Sequence, residues 1–261
     1  MNHLERLVAE ARRELDGRRE AGGEELLRRA AAERTPREFA AALRGPGLAL
    51  IAEHKRRSPS AGAIREDLDL EAVVRAYERG GATAISVLTH APGFGGSLQD
   101  LAAARALTEL PLLRKDFVVD PYQVLEAAAM GADAVLLIVA ALSDAALREL
   151  HARADALGLA ALVEVHDERE LDRALAAGAR VIGVNNRDLR TLEVDTSRTF
   201  ALRARIPAEV VMVAESGFSR PEELRQLEAA GVDAVLIGEA LMRSPNLEAA
   251  VRALRAPTMC R

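Results

Sequence analysis

Four glycine-led segments recur along the chain. They are Gly81-Ala82-Thr83-Ala84-Ile85-Ser86-Val87-Leu88, Gly131-Ala132-Asp133-Ala134-Val135-Leu136-Leu137-Ile138, Gly178-Ala179-Arg180-Val181-Ile182-Gly183-Val184 and Gly231-Val232-Asp233-Ala234-Val235-Leu236-Ile237-Gly238. In each, a glycine suited to the left-handed position after a helix end precedes a β-branched run suited to a strand buried on both faces, as in a parallel sheet. The glycines lie about 50 residues apart, the length of two βα units. Four further apolar runs fall between and before them, at residues 48–52, 111–113, 159–163 and 209–213, so the pattern predicts eight strands. Helical patterns separate them, and Asp120-Pro121-Tyr122-Gln123 and Ser219-Arg220-Pro221-Glu222 each place a cap three residues before Gln or Glu.

Strict alternation of eight units over about 215 residues predicts an α/β fold, a (β/α)8 TIM barrel. No G-x-G-x-x-G follows the first strand, as an open dinucleotide-binding sheet would have. Residues 1–46 read as an N-terminal helical extension packed on the barrel, with Thr35-Pro36-Arg37-Glu38 as a capping box and Gly45-Pro46-Gly47 as its stop. Residues 47–261 read as the barrel, a single catalytic domain.

A net charge of −5 with both signs interspersed gives no basic stripe for nucleic acid, and no apolar run approaches the roughly 20 residues of a membrane span. Met1 to Glu20 is charged and helical in pattern, unlike a signal sequence, and a cytoplasmic location is expected. The expected form is a monomer or weak homo-oligomer. The one cysteine, Cys260, is placed to close no disulfide loop and reads as an exposed, idle thiol.

Of the 35 Lys and Arg residues only two are lysines, Lys55 and Lys115, and both end an apolar run. Arginine cannot lose its proton in the working pH range, whereas a desolvated lysine can, so proton chemistry is one reason for lysine to remain. A barrel enzyme builds its site at the C-terminal strand ends. There the first strand offers Glu53 and Lys55, two apart and on one face; the third offers Lys115, the fifth Glu164, the sixth Asn185, Asn186 and Arg187, and the seventh Glu215, Ser216 and Gly217. Charges ending buried strands are costly unless paired, so opposite charges from different strands should meet in the mouth and perturb one another's proton affinities. Ser216 and Gly217, Gly238, and a short helix starting near Glu239 suit a phosphate, with Arg187 and Ser58 able to complete the anion site. His54, alternating with Glu53 and Lys55, should point outward to the helices. His90 and His166 fall in loops near the mouth without a metal-site spacing. Phe94, on the glycine loop Pro92-Gly93-Phe94-Gly95-Gly96-Ser97, either covers a substrate ring or anchors the loop.

Five motifs make the reading specific. Glu53-His54-Lys55-Arg56-Arg57-Ser58-Pro59-Ser60, Arg114-Lys115-Asp116-Phe117, Leu162-Val163-Glu164-Val165, Ile182-Gly183-Val184-Asn185-Asn186-Arg187-Asp188-Leu189 and Ala214-Glu215-Ser216-Gly217 together resemble the indole-3-glycerol phosphate synthase family of tryptophan biosynthesis, over nearly the whole chain from about residue 35. The resemblance implies a carboxy-lyase that closes the ring of 1-(2-carboxyphenylamino)-1-deoxyribulose 5-phosphate with loss of carbon dioxide and water, without metal or cofactor. It implies Lys115 as general acid, Glu164 as acid/base partner, Lys55 as the group that orients the substrate carboxylate and shares proton delivery, and Glu53 and Asn185 as positioning groups. It assigns phosphate to Ser216, Gly217 and Gly238, and further contacts to Ser58, Arg56 and Arg187. Which lysine acts at which step stays open. The chain departs from the family pattern at His90, where an acid is usual, at Gly93, where an aromatic is common, and at Glu239, where a small hydroxyl often stands. Rival readings are a Schiff-base aldolase using Lys115 or Lys55, and a non-catalytic phosphate-ligand-binding barrel.

Overall fold

Each apolar run forms a strand in the computed structural model, which describes residues 2–255. The barrel strands are β1 (Ala49–His54), β2 (Ala84–Leu88), β3 (Leu112–Lys115), β4 (Ala134–Ile138), β5 (Ala160–Val165), β6 (Val181–Asn185), β7 (Val211–Glu215) and β8 (Ala234–Ile237). All pair in parallel in sequence order, and β1 closes on β8 with Ala49 opposite Ala234 and Ile51 opposite Leu236. Gly81, Gly131, Gly178 and Gly231 all have positive φ, between 78° and 91°, where a Cβ would be strained. Cys260 lies outside the described residues.

Two-residue alternation sorts the side chains. Ile85, Val135, Val163, Ile182 and Val235 face outward and pack under the helices, whereas Ile51, Leu113, Leu136, Leu162, Val213 and Leu236 fill the barrel interior. His54 takes the outward set, as its alternation required, and is almost wholly buried.

The N-terminal extension closes both ends of the barrel. Helix His3–Glu20 lays Leu4, Leu7 and Ala11 into the same apolar cluster as Phe117 and Ile138 at the mouth. Its far end is held by Arg18 on Glu126 at 2.6 Å and by Arg19 on Asp120 at 2.6 Å. Helix Glu24–Glu33 then runs along helix Pro121–Ala129. Residues 34–43 reach the opposite face, where Phe39 and Leu43 join Ala49, Ala84, Val181 and Val211 as its floor.

Two helix starts differ from expectation, and a third keeps its expected cap without the reciprocal bond. No helix begins at Pro36; the turn starts at Phe39, because the Arg37 backbone N–H is taken by Asp133 Oδ1 at 2.7 Å and Arg34 and Arg37 reach out to barrel carbonyls. The cap before helix Pro221–Ala229 shifts by one residue, with the Glu223 carboxylate accepting from the Ser219 and Arg220 N–H groups. Asp120 caps the Tyr122 N–H, but Gln123 bonds the Val119 N–H and Phe117 carbonyl rather than closing a box. The glycine stretch after β2 is a helical turn, Ala91–Phe94, capped by His90.

Candidate active site

The last inward position of each strand sets the mouth. Glu53, Lys115, Glu164, Asn185 and Glu215 come from five strands and line one cavity of about 400 Å³, together with Lys55. Space for the two flanking acids comes from glycines on neighbouring strands. A Cβ at Gly183 would strike Glu215 Oε1, and one at Gly238 would strike Glu53 Oε1. Any side chain at either position displaces a carboxylate.

Lys115 is the hub. Its Nζ lies 3.3 Å from Glu215 Oε2 and 3.6 Å from Glu164 Oε2, while Lys55 Nζ bonds Glu53 Oε1 at 2.8 Å. Burial favours the neutral amine at Lys115, but Glu215, Glu164 and Glu53 outweigh it and hold the proton on more firmly than in water. Burial would likewise raise Glu53, yet Lys55 and Lys115 hold it below the ordinary carboxylate value. Glu215 goes the other way. Burial, reinforced by the charges of Glu164 and Glu53, exceeds the pull of Lys115 and pushes it up to about 7. Three acids share two ammonium groups, so one acid stands poised to keep a proton.

These groups are not mutually satisfied. Glu164 Oε1 and Glu215 Oε1 are buried without a hydrogen-bond partner. Such oxygens cost free energy unless something else meets them.

At the rim, Ser216 adopts the left-handed conformation at φ 60°, with Gly217 following at φ 88°. Ser216 Oγ donates to Asn185 Oδ1 at 2.9 Å, which also accepts the Arg187 N–H. Ser58, Arg187, Gly217, Gly238 and Glu239 line the same cavity; Glu239 is engaged by Arg243 at 3.0 Å. Phe94 lines it too, near Phe117 and His90. Arg56 does not reach it. Its guanidinium is held by Asp100 at 2.6 and 2.8 Å and by the Gly95 carbonyl, away from the site.

His90 accepts the Gly93 N–H on Nδ1 at 3.2 Å, doing as a neutral ring the capping that a carboxylate would do at that position. Burial lowers its proton affinity and keeps it neutral. Gly93 packs under Leu7, and a Cβ there would come within 3.1 Å of Leu7 and His90.

Among the lining residues to which sequence reasoning gave no role are His3, Leu7 and Phe117. The first two come from the N-terminal helix, and no local pattern reports that a helix will fold back across the mouth. His166, set among the loops, stands beside Glu164 instead. The spacing of two that paired Glu53 with Lys55 would have found it.

The comparisons agree with this geometry. The family model for indole-3-glycerol phosphate synthase matches residues 4–254. The chain is 57% identical over 249 residues to indole-3-glycerol phosphate synthase 2 of Streptomyces coelicolor, covering 95% of this chain and 96% of that protein. It is 49% identical to indole-3-glycerol phosphate synthase of Micrococcus luteus, covering 99% of each. Among solved structures, thiamine phosphate pyrophosphorylase from Pyrococcus furiosus superposes with a TM-score of 0.61 at 19% identity, over 84% of this chain and 96% of that one, a likeness of fold alone. A family match over nearly the whole chain and near-full-length relatives at about half identity make one conclusion: the chain belongs to the indole-3-glycerol phosphate synthase family.

Proposed function

We propose that the cavity closes the indole ring of 1-(2-carboxyphenylamino)-1-deoxyribulose 5-phosphate by general acid/base catalysis, with Lys115 as the acid. The observation that carries this reading is Lys115 Nζ set between Glu164 and Glu215, facing the Lys55–Glu53 pair. Loss of the ketone oxygen as water needs a proton delivered there, and restoring aromaticity needs one removed from the new ring. A buried ammonium beside carboxylates with open oxygens supplies both functions. Lys115 delivers; Glu164 receives and returns. Lys55, tied to Glu53 at the cavity edge, meets the substrate carboxylate and shares in delivery. Asn185, held by Ser216, fixes the reacting oxygens. The phosphate sits by the Ser216–Gly217 turn, Gly238 and the Glu239 N–H, with Ser58 and Arg187 beside it, and Phe94 faces the substrate ring. Arg56 supports the loop through Asp100 rather than touching substrate.

The same geometry weighs against an aldolase. A Schiff base needs a free amine, and at Lys115 three carboxylates favour the ammonium, which disfavours an aldolase acting through that lysine. A binding-only barrel has no use for paired acids and ammoniums in a desolvated mouth. A cytoplasmic setting belongs to this reading, supported by the net charge of −5 and the lack of a helix among the described residues able to cross a membrane.

The test exploits the composition. With no tryptophan and two tyrosines, the chain has almost no indole-type emission of its own. Incubation with the substrate should give a growing indole emission. Absence of that signal from folded protein, or borohydride trapping of substrate on Lys55 or Lys115, overturns the proposal.

A further inference from the structure

His166 lies immediately beyond β5, two residues after Glu164, with its side chain almost wholly buried. Its Nδ1 meets Glu170 Oε2 at 2.9 Å, and the same oxygen accepts the His166 backbone N–H at 2.9 Å. Glu170 is fixed in turn, because Asp167 caps its N–H at 2.8 Å at the start of helix Glu168–Ala176. The imidazole is therefore clamped on one edge. Its other nitrogen, Nε2, faces Glu164 Oε1 at 3.5 Å. Both of these atoms are buried and neither has a hydrogen-bond partner. At 3.5 Å they face one another just outside a formed hydrogen bond.

We infer that His166 is a positioning residue for the ring closure: clamped by Glu170, it holds Glu164 through Oε1 and leaves Oε2 turned to Lys115 and the substrate. This rests on the proposed acid/base role of Glu164. The hydrogen-bond count requires a proton between the two residues. With Nδ1–H donated to Glu170, Nε2 can face a carboxylate oxygen only if one of the two carries a proton. That proton resides on Nε2, giving imidazolium and carboxylate, or on Oε1, giving imidazole and carboxylic acid. When Glu164 takes a proton from substrate at Oε2, imidazolium opposite steadies the remaining negative charge beforehand.

The groups facing His166 are Glu164 on its own strand, Glu170 on the following helix, Glu215 on β7 and Asp188 in the loop after β6. All are acids. Burial alone would lower the proton affinity of the ring, but the Glu170 hydrogen bond and the charges of Glu164, Glu170 and Glu215 raise it.

The test compares His166→Gln and Glu170→Gln with wild type in kcat, KM and pH profile. Gln at 166 keeps a donor without the charge; Gln at 170 keeps an acceptor for the His166 N–H and removes the charge that sustains the imidazolium. For His166→Gln, kcat should fall at least about tenfold, less than loss of a direct acid or base, with KM within about threefold. Losing a cation beside Glu164 makes it harder to ionise, so the acid limb of kcat should move up by about one pH unit, and less in Glu170→Gln. Unchanged kcat and profile in His166→Gln overturn the inference. So does a lower kcat with an unmoved acid limb in both variants, which is what a purely structural role gives. Wild type that makes no indole product overturns the functional reading instead, so the two failures are distinguishable.

Discussion

The two ends of the barrel both bury carboxylates, and they treat them oppositely. On the floor, Asp133 is met on every side. Arg105 reaches it at 2.9 Å, the Arg37 N–H at 2.7 Å, the Leu112 N–H at 2.9 Å and Arg34 at 3.5 Å. At the mouth, Glu164 and Glu215 each keep one buried oxygen with no partner, and three acids crowd around two lysines. A buried charge with all its hydrogen bonds made holds parts together, and here it pins the extension to the strand starts. One with open valence is maintained against its own cost unless a neighbouring donor or a bound guest meets it. The N-terminal extension touches both ends, contributing arginines and Phe39 to the floor but apolar Leu4 and Leu7 to the mouth.

The largest effect should come from Lys115. Lys115→Arg keeps the charge but not the removable proton, so kcat should fall by about 10²–10⁴ while the variant still binds substrate. Turnover near wild type would remove the distinction between the ends. Asp133→Asn probes the floor, where about 3 kcal/mol of stability should be lost, because Arg34 and Arg105 lose their counter-charge. Denaturant unfolding measures that loss, and kcat of the folded fraction should stay within a few fold.

A third test separates the mouth from the outer layer of the same strand. Burial depresses His54 to about 4 from its ordinary 6.5. As pH falls, the unfolded chain takes up the proton first, so the stability His54 supports is complete above about 6.5 and drains away toward 4, by up to about 3 kcal/mol. Between pH 7 and 5 wild type should lose stability more steeply than His54→Gln, and equal slopes would refute the assignment. Smallest is the exposed Arg28–Glu24 pair at 2.5 Å, where Arg28→Gln should change stability by less than about 0.5 kcal/mol.

The barrel was legible because its signals are local. A positive-φ glycine and a period of two repeat within each unit, and they survive without tertiary context. The site was legible for a related reason, since a charge ending a buried run has few structural excuses. What stayed hidden depends on residues far apart in sequence. Arg56 is captured by Asp100 across 44 positions, which turned an expected substrate contact into a loop brace. The capping pattern at Thr35 failed because Asp133, 96 positions from Arg37, accepts the N–H that a Thr35 cap would have taken. His90 departs from the family pattern yet keeps its local job, because a neutral imidazole accepts a backbone N–H as an acid does.

Glu215→Gln tests the contrast between the two ends most directly, measured at once for unfolding free energy and for kcat. Removing the charge of an acid already pushed up to about 7 relieves crowding in the mouth, so the variant should be at least as stable as wild type, while Lys115 loses the carboxylate that holds its Nζ at 3.3 Å and kcat falls by about a hundredfold or more. A variant that loses stability as Asp133→Asn does, and turns over like wild type, would show that the mouth is held together by its charges just as the floor is.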